Sequence, residues 1–158
     1  MKTSTISLLT IFLVILDQVS KILISSNLAL GQSLNLLPFL NFTLIHNTGI
    51  AFSFFDEGGN ISRWFLVITV SGILAYLFFL MYKKKPKNQL ELMSLILIIS
   101  GGLGNLVDRV FLGYVVDFVH VFYQDYSFYV FNMADSYITV GIILYLSYFF
   151  FIERAEET

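Results

Sequence analysis

The sequence predicts a mainly α-helical integral membrane protein, with four spanning helices and a small β-sheet in the loops. Hydrophobic residues make up 57% of the 158 residues and charged residues only 13%, whereas soluble domains are about 45–50% apolar and about 25% charged. The apolar residues collect in long runs, and a stretch of alternating residues follows the first of them. A chain of this length is expected to form a single membrane domain over residues 1–158.

Composition excludes several classes of function. The chain has no cysteine and only two histidines. This excludes disulfide bonds, thiol catalysis and thiolate metal sites, and it argues against a histidine-rich metal centre. We therefore expect no cofactor and no metal site. The net charge of -2 gives no indication of a nucleic-acid partner.

The first span is predicted at about residues 6–26. Lys2 followed by the apolar residues 6–16 is also typical of a secretory signal peptide. Polar residues then occupy the place of a small-residue cleavage site, however, and apolar character resumes after them. Two of these polar residues, Asp17 and Lys21, lie four positions apart and so share one helix face. They form either a structural ion pair at the interface or part of a functional site.

The first loop, residues 27–63, is predicted to contain a short sheet or hairpin. Residues 40–45 alternate with the period of a strand, and residues 51–55 continue in β-compatible side chains. The phenylalanine content of this loop suits a sheet that lies on the bilayer surface. Asn47, in the turn-like segment 46–49, is interpreted as a turn residue, with a substrate-binding amide as the alternative.

The second span is predicted at about residues 64–82. It carries no charge, and its length is close to the roughly 20 residues needed to cross a bilayer. Trp64 and Tyr82 stand at its ends, as interfacial aromatic residues do. A lysine-rich segment, residues 83–87, follows at once and predicts a loop on the cytoplasmic side.

The third span is predicted at about residues 90–107, and its second half becomes small and polar. Ser100 and Gly104 form a small-xxx-small pair, which lets helices approach closely. Asn105 and Arg109 lie four positions apart and therefore share a helix face. Helix packing alone explains the glycines but not this polar pair.

The second loop, residues 108–135, is rich in tyrosine and phenylalanine and ends at the fourth span, about residues 136–152. Asp117 lies in an apolar, strand-like segment of the loop, and Asp135 lies at the start of the span. A carboxylate beside membrane-like sequence is costly and is therefore a functional candidate. Two such acids that converge suggest a pair sharing one proton. Asp135 has a structural alternative, as a carboxylate at a helix N-terminus.

Positive charge predicts the orientation of the spans. Four spans place both termini and residues 83–87 on one side, with six Lys and Arg residues against three on the other. The termini are therefore expected in the cytoplasm. The polar residues of the spans and loops then gather at the outer face: Asp17, Asn47, Asn105, Arg109, Asp117, Asn132 and Asp135.

Five short segments combine these residues: Asp17-Gln18-Val19-Ser20-Lys21, Asn47-Thr48-Gly49-Ile50-Ala51-Phe52, Gly101-Gly102-Leu103-Gly104-Asn105-Leu106-Val107-Asp108-Arg109, Gly113-Tyr114-Val115-Val116-Asp117-Phe118 and Phe131-Asn132-Met133-Ala134-Asp135. In this order they resemble the lipoprotein signal peptidases (signal peptidase II), bacterial aspartyl proteases of the inner membrane. The resemblance covers nearly the whole chain. Ser20 stands where the family often carries Thr, and His120 stands near where it often carries an acid.

The resemblance implies an aspartic endopeptidase that removes signal peptides from prolipoproteins, cutting just before a Cys modified with diacylglycerol. It implies Asp117 and Asp135 as the catalytic pair: one acid takes a proton from water, and the other donates a proton to the scissile carbonyl. The expected partners are this lipid-modified substrate and membrane lipid, with no nucleic acid and no required oligomer. The further substrate-binding or supporting positions it implies are Asp17, Lys21, Asn47, Gly49, Asn105, Arg109, Asn132 and Ala134.

The main alternative is a small transporter or channel subunit that uses Asp117 and Asp135 as ion or proton sites. Transporters often contain internal repeats, and residues 1–82 and 83–158 show no repeat. A non-catalytic assembly factor is a second alternative. It predicts that both aspartates can be replaced without effect.

Overall fold

The computed structural model describes residues 1–49 and 60–153. The predicted strand character of residues 51–55 therefore lies outside the described residues. In chain order the elements are α1 (Thr3–Asn27), β1 (Ser33–Leu37), β2 (Leu40–Asn47), α2 (Asn60–Phe79), α3 (Gln89–Phe111), β3 (Val115–Tyr123), β4 (Tyr126–Ser127) and α4 (Met133–Tyr148). Short π-helical segments, Leu80–Lys84 and Phe149–Glu153, continue α2 and α4.

Four helical segments are long and apolar enough to cross a membrane: Thr3–Asn27, Ile61–Lys84, Gln89–Phe111 and Met133–Ile152. With the small antiparallel sheet, they confirm the predicted fold class. The helices extend up to four residues beyond the expected spans, because hydropathy marks only the apolar middle of a helix. Polar caps set the actual ends: the side chain of Asn88, for example, accepts a hydrogen bond from Glu91 N at the start of α3.

α3 is the central helix of the bundle. Half of the residues in an apolar 18-residue stretch of α3 are buried inside the protein, against 11–22% in the equivalent stretches of the other three helices. The outward faces of those three helices suit contact with lipid. Small residues let α4 lie close against α3. A Cβ built on Gly141 of α4 would lie 2.9 Å from the carbonyl oxygen of Ser94, so only glycine permits this approach.

The sheet joins the two loops of the chain at one end of the bundle. Its strand order is β1-β2-β3-β4, with every neighbouring pair antiparallel. β2 and β3 pair from Leu40 opposite Val121 to Asn47 opposite Val115. This is also the end of the bundle at which α3 ends and α4 begins, so polar residues of helices and strands meet there.

Candidate active site

Asp117 lies on β3 and is almost completely buried, with 2% of its surface exposed. Ile45 is its partner on β2, and Asn47 is opposite Val115, which makes Asn47 a diagonal neighbour of Asp117. Asn47 Nδ2 donates a hydrogen bond to Asp117 Oδ2 at 2.8 Å, and Asn132 Nδ2 donates to Asp117 Oδ1 at 2.6 Å. Amide groups therefore hold both oxygens of this carboxylate.

Asp135 lies in the first turn of α4. Asn132 is the N-cap: its Oδ1 accepts from Asp135 N at 2.9 Å, while Asp135 Oδ2 accepts from Asn132 N at 3.2 Å. This reciprocal pair is a capping box, so the structural alternative for Asp135 describes part of its role. The other oxygen, Oδ1, accepts from Asn105 Nδ2 on α3 at 2.8 Å, a contact that capping does not require.

Asn132 joins the two acids. It is fully buried, and it donates to Asp117 through its side-chain amide and to Asp135 through its backbone N–H. The same Nδ2 lies 3.1 Å from Asn105 Oδ1. The structure thus brings together the two predicted aspartates and three of the predicted supporting residues, Asn47, Asn105 and Asn132, in one hydrogen-bonded group.

Asn47 forms the expected turn, and its side chain also contacts Asp117. Its Oδ1 accepts a hydrogen bond from Gly49 N at 2.9 Å, as in an Asx turn, while its Nδ2 donates to Asp117. Gly49 has φ +82°, and a Cβ there would lie 3.0 Å from Leu66 Cδ1. The turn therefore needs glycine, and it fixes the amide that faces Asp117.

Behind this group lies a buried cluster of charges, the Lys21 cluster, formed by Asp17, Lys21 and Asp108. Lys21 Nζ lies 2.8 Å from Asp17 Oδ2 and 2.9 Å from Asp108 Oδ2, and it donates to Asn105 Oδ1 at 3.1 Å. The three side chains expose at most 3% of their surface. The expected ion pair between Asp17 and Lys21 forms, but it is buried inside the protein. Lys21 also contacts Asn105, which hydrogen-bonds Asp135.

Asp108 and Gln18 are the residues of this region that the sequence analysis did not single out. Gln18 Nε2 donates to Asp108 Oδ1 at 2.9 Å and to Gly104 O at 3.1 Å, which joins α1 to α3. Asp108 lies three positions after Asn105 and therefore shares its helix face. That spacing, together with its place in the quoted segment 101–109, was the signal available for Asp108.

Ala134, which precedes Asp135, is completely buried against α3. Its backbone N–H donates to Asp17 Oδ1 at 2.9 Å. A Cβ on Gly104 would lie 3.3 Å from Ala134 Cβ and 2.5 Å from Asp17 Oδ2. The small residues at positions 104 and 134 therefore allow α1, α3 and α4 to meet at this point.

Arg109 lies at the end of α3 beside the acid pair. Its Nη1 donates to Asn105 O at 3.3 Å, and its positive charge interacts with both Asp135 and Asp117. Arg63 of α2 donates from Nε to the carbonyl oxygen of Arg109 at 2.8 Å. α2 thus fixes the helix end that carries this guanidinium.

The electrostatics of the site favour proton sharing. Burial raises the pKa of the Asp117 carboxyl to about 6, and the neighbouring charge of Asp135 adds to the rise. Hydrogen bonds from Asn47 and Asn132 and the charge of Lys21 oppose it. Two close carboxyls that share one proton can act together as general acid and general base. Within residues 1–49 and 60–153, no group of three potential ligands is arranged to hold a metal ion.

Comparison with known proteins gives consistent matches over most of the chain. The family described as Signal peptidase (SPase) II matches residues 9–151. The lipoprotein signal peptidase of Acinetobacter baumannii is 44% identical over 147 residues, covering 92% of this chain and 83% of that protein. That of Teredinibacter turnerae is 42% identical over 134 residues, covering 85% and 80%. A solved bacterial membrane enzyme matches with a TM-score of 0.85 and 34% identity over 95% of both chains.

Proposed function

This chain belongs to the signal peptidase II family, and on that premise we propose that Asp117 and Asp135 are the catalytic pair of an aspartic endopeptidase. The chain is a multi-pass membrane protease that removes signal peptides from prolipoproteins. The transporter alternative has no support from these relatives. The observation that carries the proposal is Asn132, which hydrogen-bonds both carboxylates from a fully buried position.

In the proposed mechanism Asp117 is the proton donor and Asp135 is the proton acceptor. Burial raises the pKa of Asp117 to about 6, so this carboxyl is protonated more readily than an exposed aspartate and suits the role of the acid. Asp135 takes a proton from water as the water attacks the scissile carbonyl, and Asp117 donates its proton to the carbonyl oxygen. The tetrahedral intermediate then collapses as the C–N bond breaks: Asp135 gives its proton to the leaving amine, and Asp117 takes a proton back from the hydroxyl that re-forms the carbonyl.

The neighbouring residues have supporting roles in this proposal. Asn47, Asn105 and Asn132 donate hydrogen bonds that keep the two carboxyls oriented. Arg109 provides a positive charge beside the acids for a backbone carbonyl of the substrate. The sheet, at the same end of the bundle, holds the substrate peptide at the membrane surface.

We expect the enzyme to cleave just before a diacylglyceryl-modified Cys and to depend on that lipid. Each buried CH₂ group of an acyl chain contributes about 0.8 kcal/mol, so four such groups correspond to roughly a 200-fold effect. The test compares purified protein acting on a lipid-modified prolipoprotein and on its unmodified form, with cleavage measured by mass spectrometry. Equal rates would contradict lipid recognition, and no cleavage of either form would contradict the protease assignment.

The proposed orientation places both termini in the cytoplasm and the acid pair at the outer face of the inner membrane. Because the chain has no cysteine, a single introduced cysteine reports its own side. We expect Asp125→Cys, in the exposed turn between β3 and β4, to react with an impermeant thiol reagent on spheroplasts. Lys85→Cys should react only after the membrane is permeabilised. The reverse pattern would overturn the orientation.

Asn47 provides a test of which acid holds the proton. Its hydrogen bond stabilises the ionised form of Asp117 and so opposes the rise that burial gives to the pKa of this group. In Asn47→Ala that pKa rises further. If Asp117 must be protonated, the basic limb of the profile of kcat/KM against pH moves to higher pH. A shift of the acidic limb instead would show that Asp117 is the base, contrary to the proposed mechanism.

A further inference from the structure

The backbone just before each proposed catalytic aspartate is held in the same way. Ala134 N, before Asp135, donates to Asp17 Oδ1 at 2.9 Å. Val116 N, before Asp117, donates to Asp108 Oδ2 at 3.1 Å. The two catalytic segments lie on different elements, α4 and β3, yet each is bound at the preceding residue by a buried carboxylate.

One ammonium connects these two carboxylates. Lys21 Nζ lies 2.8 Å from Asp17 Oδ2 and 2.9 Å from Asp108 Oδ2, and all three side chains are buried. Its third contact is Asn105 Oδ1 at 3.1 Å, and Asn105 donates to Asp135. The Lys21 cluster therefore forms a continuous connection between the backbones of the two catalytic segments.

The cluster has little freedom to shift. A Cβ on Gly104 would approach Asp17 Oδ2 to 2.5 Å, so α3 lies directly against that carboxylate. Gln18 Nε2 fixes Asp108 Oδ1 at 2.9 Å. Each carboxylate is thus held by its own neighbours as well as by the shared ammonium.

From this geometry we infer that the Lys21 cluster sets the separation of the two catalytic carboxyls, with Asp17 and Asp108 as positioning residues for Asp135 and Asp117. The inference rests on the proposed function. Lys21 holds the two carboxylates at one spacing, and each carboxylate transmits that spacing to one catalytic segment through a backbone hydrogen bond.

A gain in stability does not account for the cluster. Two carboxylates and one ammonium leave a net negative charge in a buried place, and apolar residues of similar volume often stabilise a protein as well or better. The cluster is better explained by its effect on the distance between the proposed catalytic acids. Their mutual repulsion determines how far apart the two apparent pKa values of the pair lie, and hence whether the singly protonated form predominates.

The test moves each carboxylate by one methylene without changing its charge, in Asp17→Glu and Asp108→Glu. We expect kcat to fall about 10- to 100-fold, because reacting groups misplaced by about 1 Å lose that much, while KM stays unchanged. The bell-shaped profile of rate against pH should also become narrower, by about half a pH unit per ångström of added separation between the carboxyls. Asp125→Glu, at an exposed turn, is the matched control and should behave as wild type.

The width of the profile distinguishes a positioning role from a field effect and from a purely structural role. Among residues 1–49 and 60–153, the charged groups around the pair are Asp17, Lys21, Asp108 and Arg109. The glutamate variants keep all of these charges, so a field effect predicts an unchanged profile. A purely structural role lowers the active fraction and also leaves the profile unchanged. A wild-type width in both folded variants would overturn the inference.

The double variant provides a second readout. Both carboxylates act through one ammonium, so the second glutamate substitution should lower kcat less in the double variant than it does in the wild-type background. Independent roles predict instead that the two losses of kcat multiply. If a glutamate variant does not fold, Lys21→Arg moves both carboxylates with charge preserved and should narrow the profile in the same way. Full turnover in Asp117→Asn would overturn the proposed function, whereas a wild-type profile in these variants would overturn only the positioning role.

Discussion

Replacing Asp117 or Asp135 by Asn should lower turnover of a lipid-modified precursor by on the order of 10⁴-fold, and replacing both should cost little more. In the proposed mechanism the two acids act as one unit, since one takes a proton from water while the other protonates the carbonyl. Once either is lost, the remaining group has no partner. Cleavage by the two single variants and the double variant, each purified as folded protein, is the measurement.

The fold should survive the change at Asp135, which makes the experiment informative. The side chain of Asn132 caps α4 by accepting from the backbone N–H of residue 135, and this bond does not depend on the side chain at that position. If Asp135 served only in the capping box, Asp135→Asn would remain active, because Asn also accepts hydrogen bonds at helix N-termini. Near-normal turnover in either folded single variant would remove that residue from the mechanism.

Lys21→Met should lower the free energy of unfolding by about 3–5 kcal/mol, because it leaves two buried carboxylates without their cation. The ammonium lies within 2.9 Å of an oxygen of both Asp17 and Asp108, and neither carboxylate is exposed enough for water to replace it. For a chain of this size, the change corresponds to a fall in melting temperature of roughly 6–20 °C. Thermal unfolding in detergent micelles measures it.

Two controls show whether charge is the cause. Lys83→Met makes the same replacement at an exposed position and should have little effect. Adding Asp17→Asn and Asp108→Asn to Lys21→Met removes the unpaired charges and should restore most of the stability. A loss in Lys21→Met no larger than that of the exposed control would contradict the assigned role of the ammonium.

The helices were predictable because hydropathy and length are local properties of the sequence. Asp117 and Asp135 were predictable as functional candidates for the same reason, since a carboxylate beside apolar sequence can be recognised from the local sequence alone. The shared face of Asn105 and Arg109 followed from helical spacing, and Asn105 indeed reaches Asp135.

What could not be predicted depends on partners far apart in the chain. Asn47 contacts Asp117 across 70 positions, and only the pairing of β2 with β3 creates that contact. Asp108 resembled an ordinary acid beside Arg109 at the end of a span, and its importance depends on Lys21, 87 positions earlier in the sequence. The hydrogen bond from Asn132 to Asp117 on β3 was not predictable either, because a residue that caps a helix needs no contact with a strand.

The bond between Asp17 and Ala134 spans 117 positions, and it has a consequence for the synthesis of the protein. A growing chain inserts α1 first and α4 last, so Asp17 enters the membrane long before the backbone that it holds. Until α4 is in place, Asp117 has neither Asn132 nor Asp135 beside it. A ribosome-bound or prematurely terminated chain therefore lacks the proposed catalytic pair, and the proposed mechanism requires that translation of the last helix be complete before the protein can cleave a substrate.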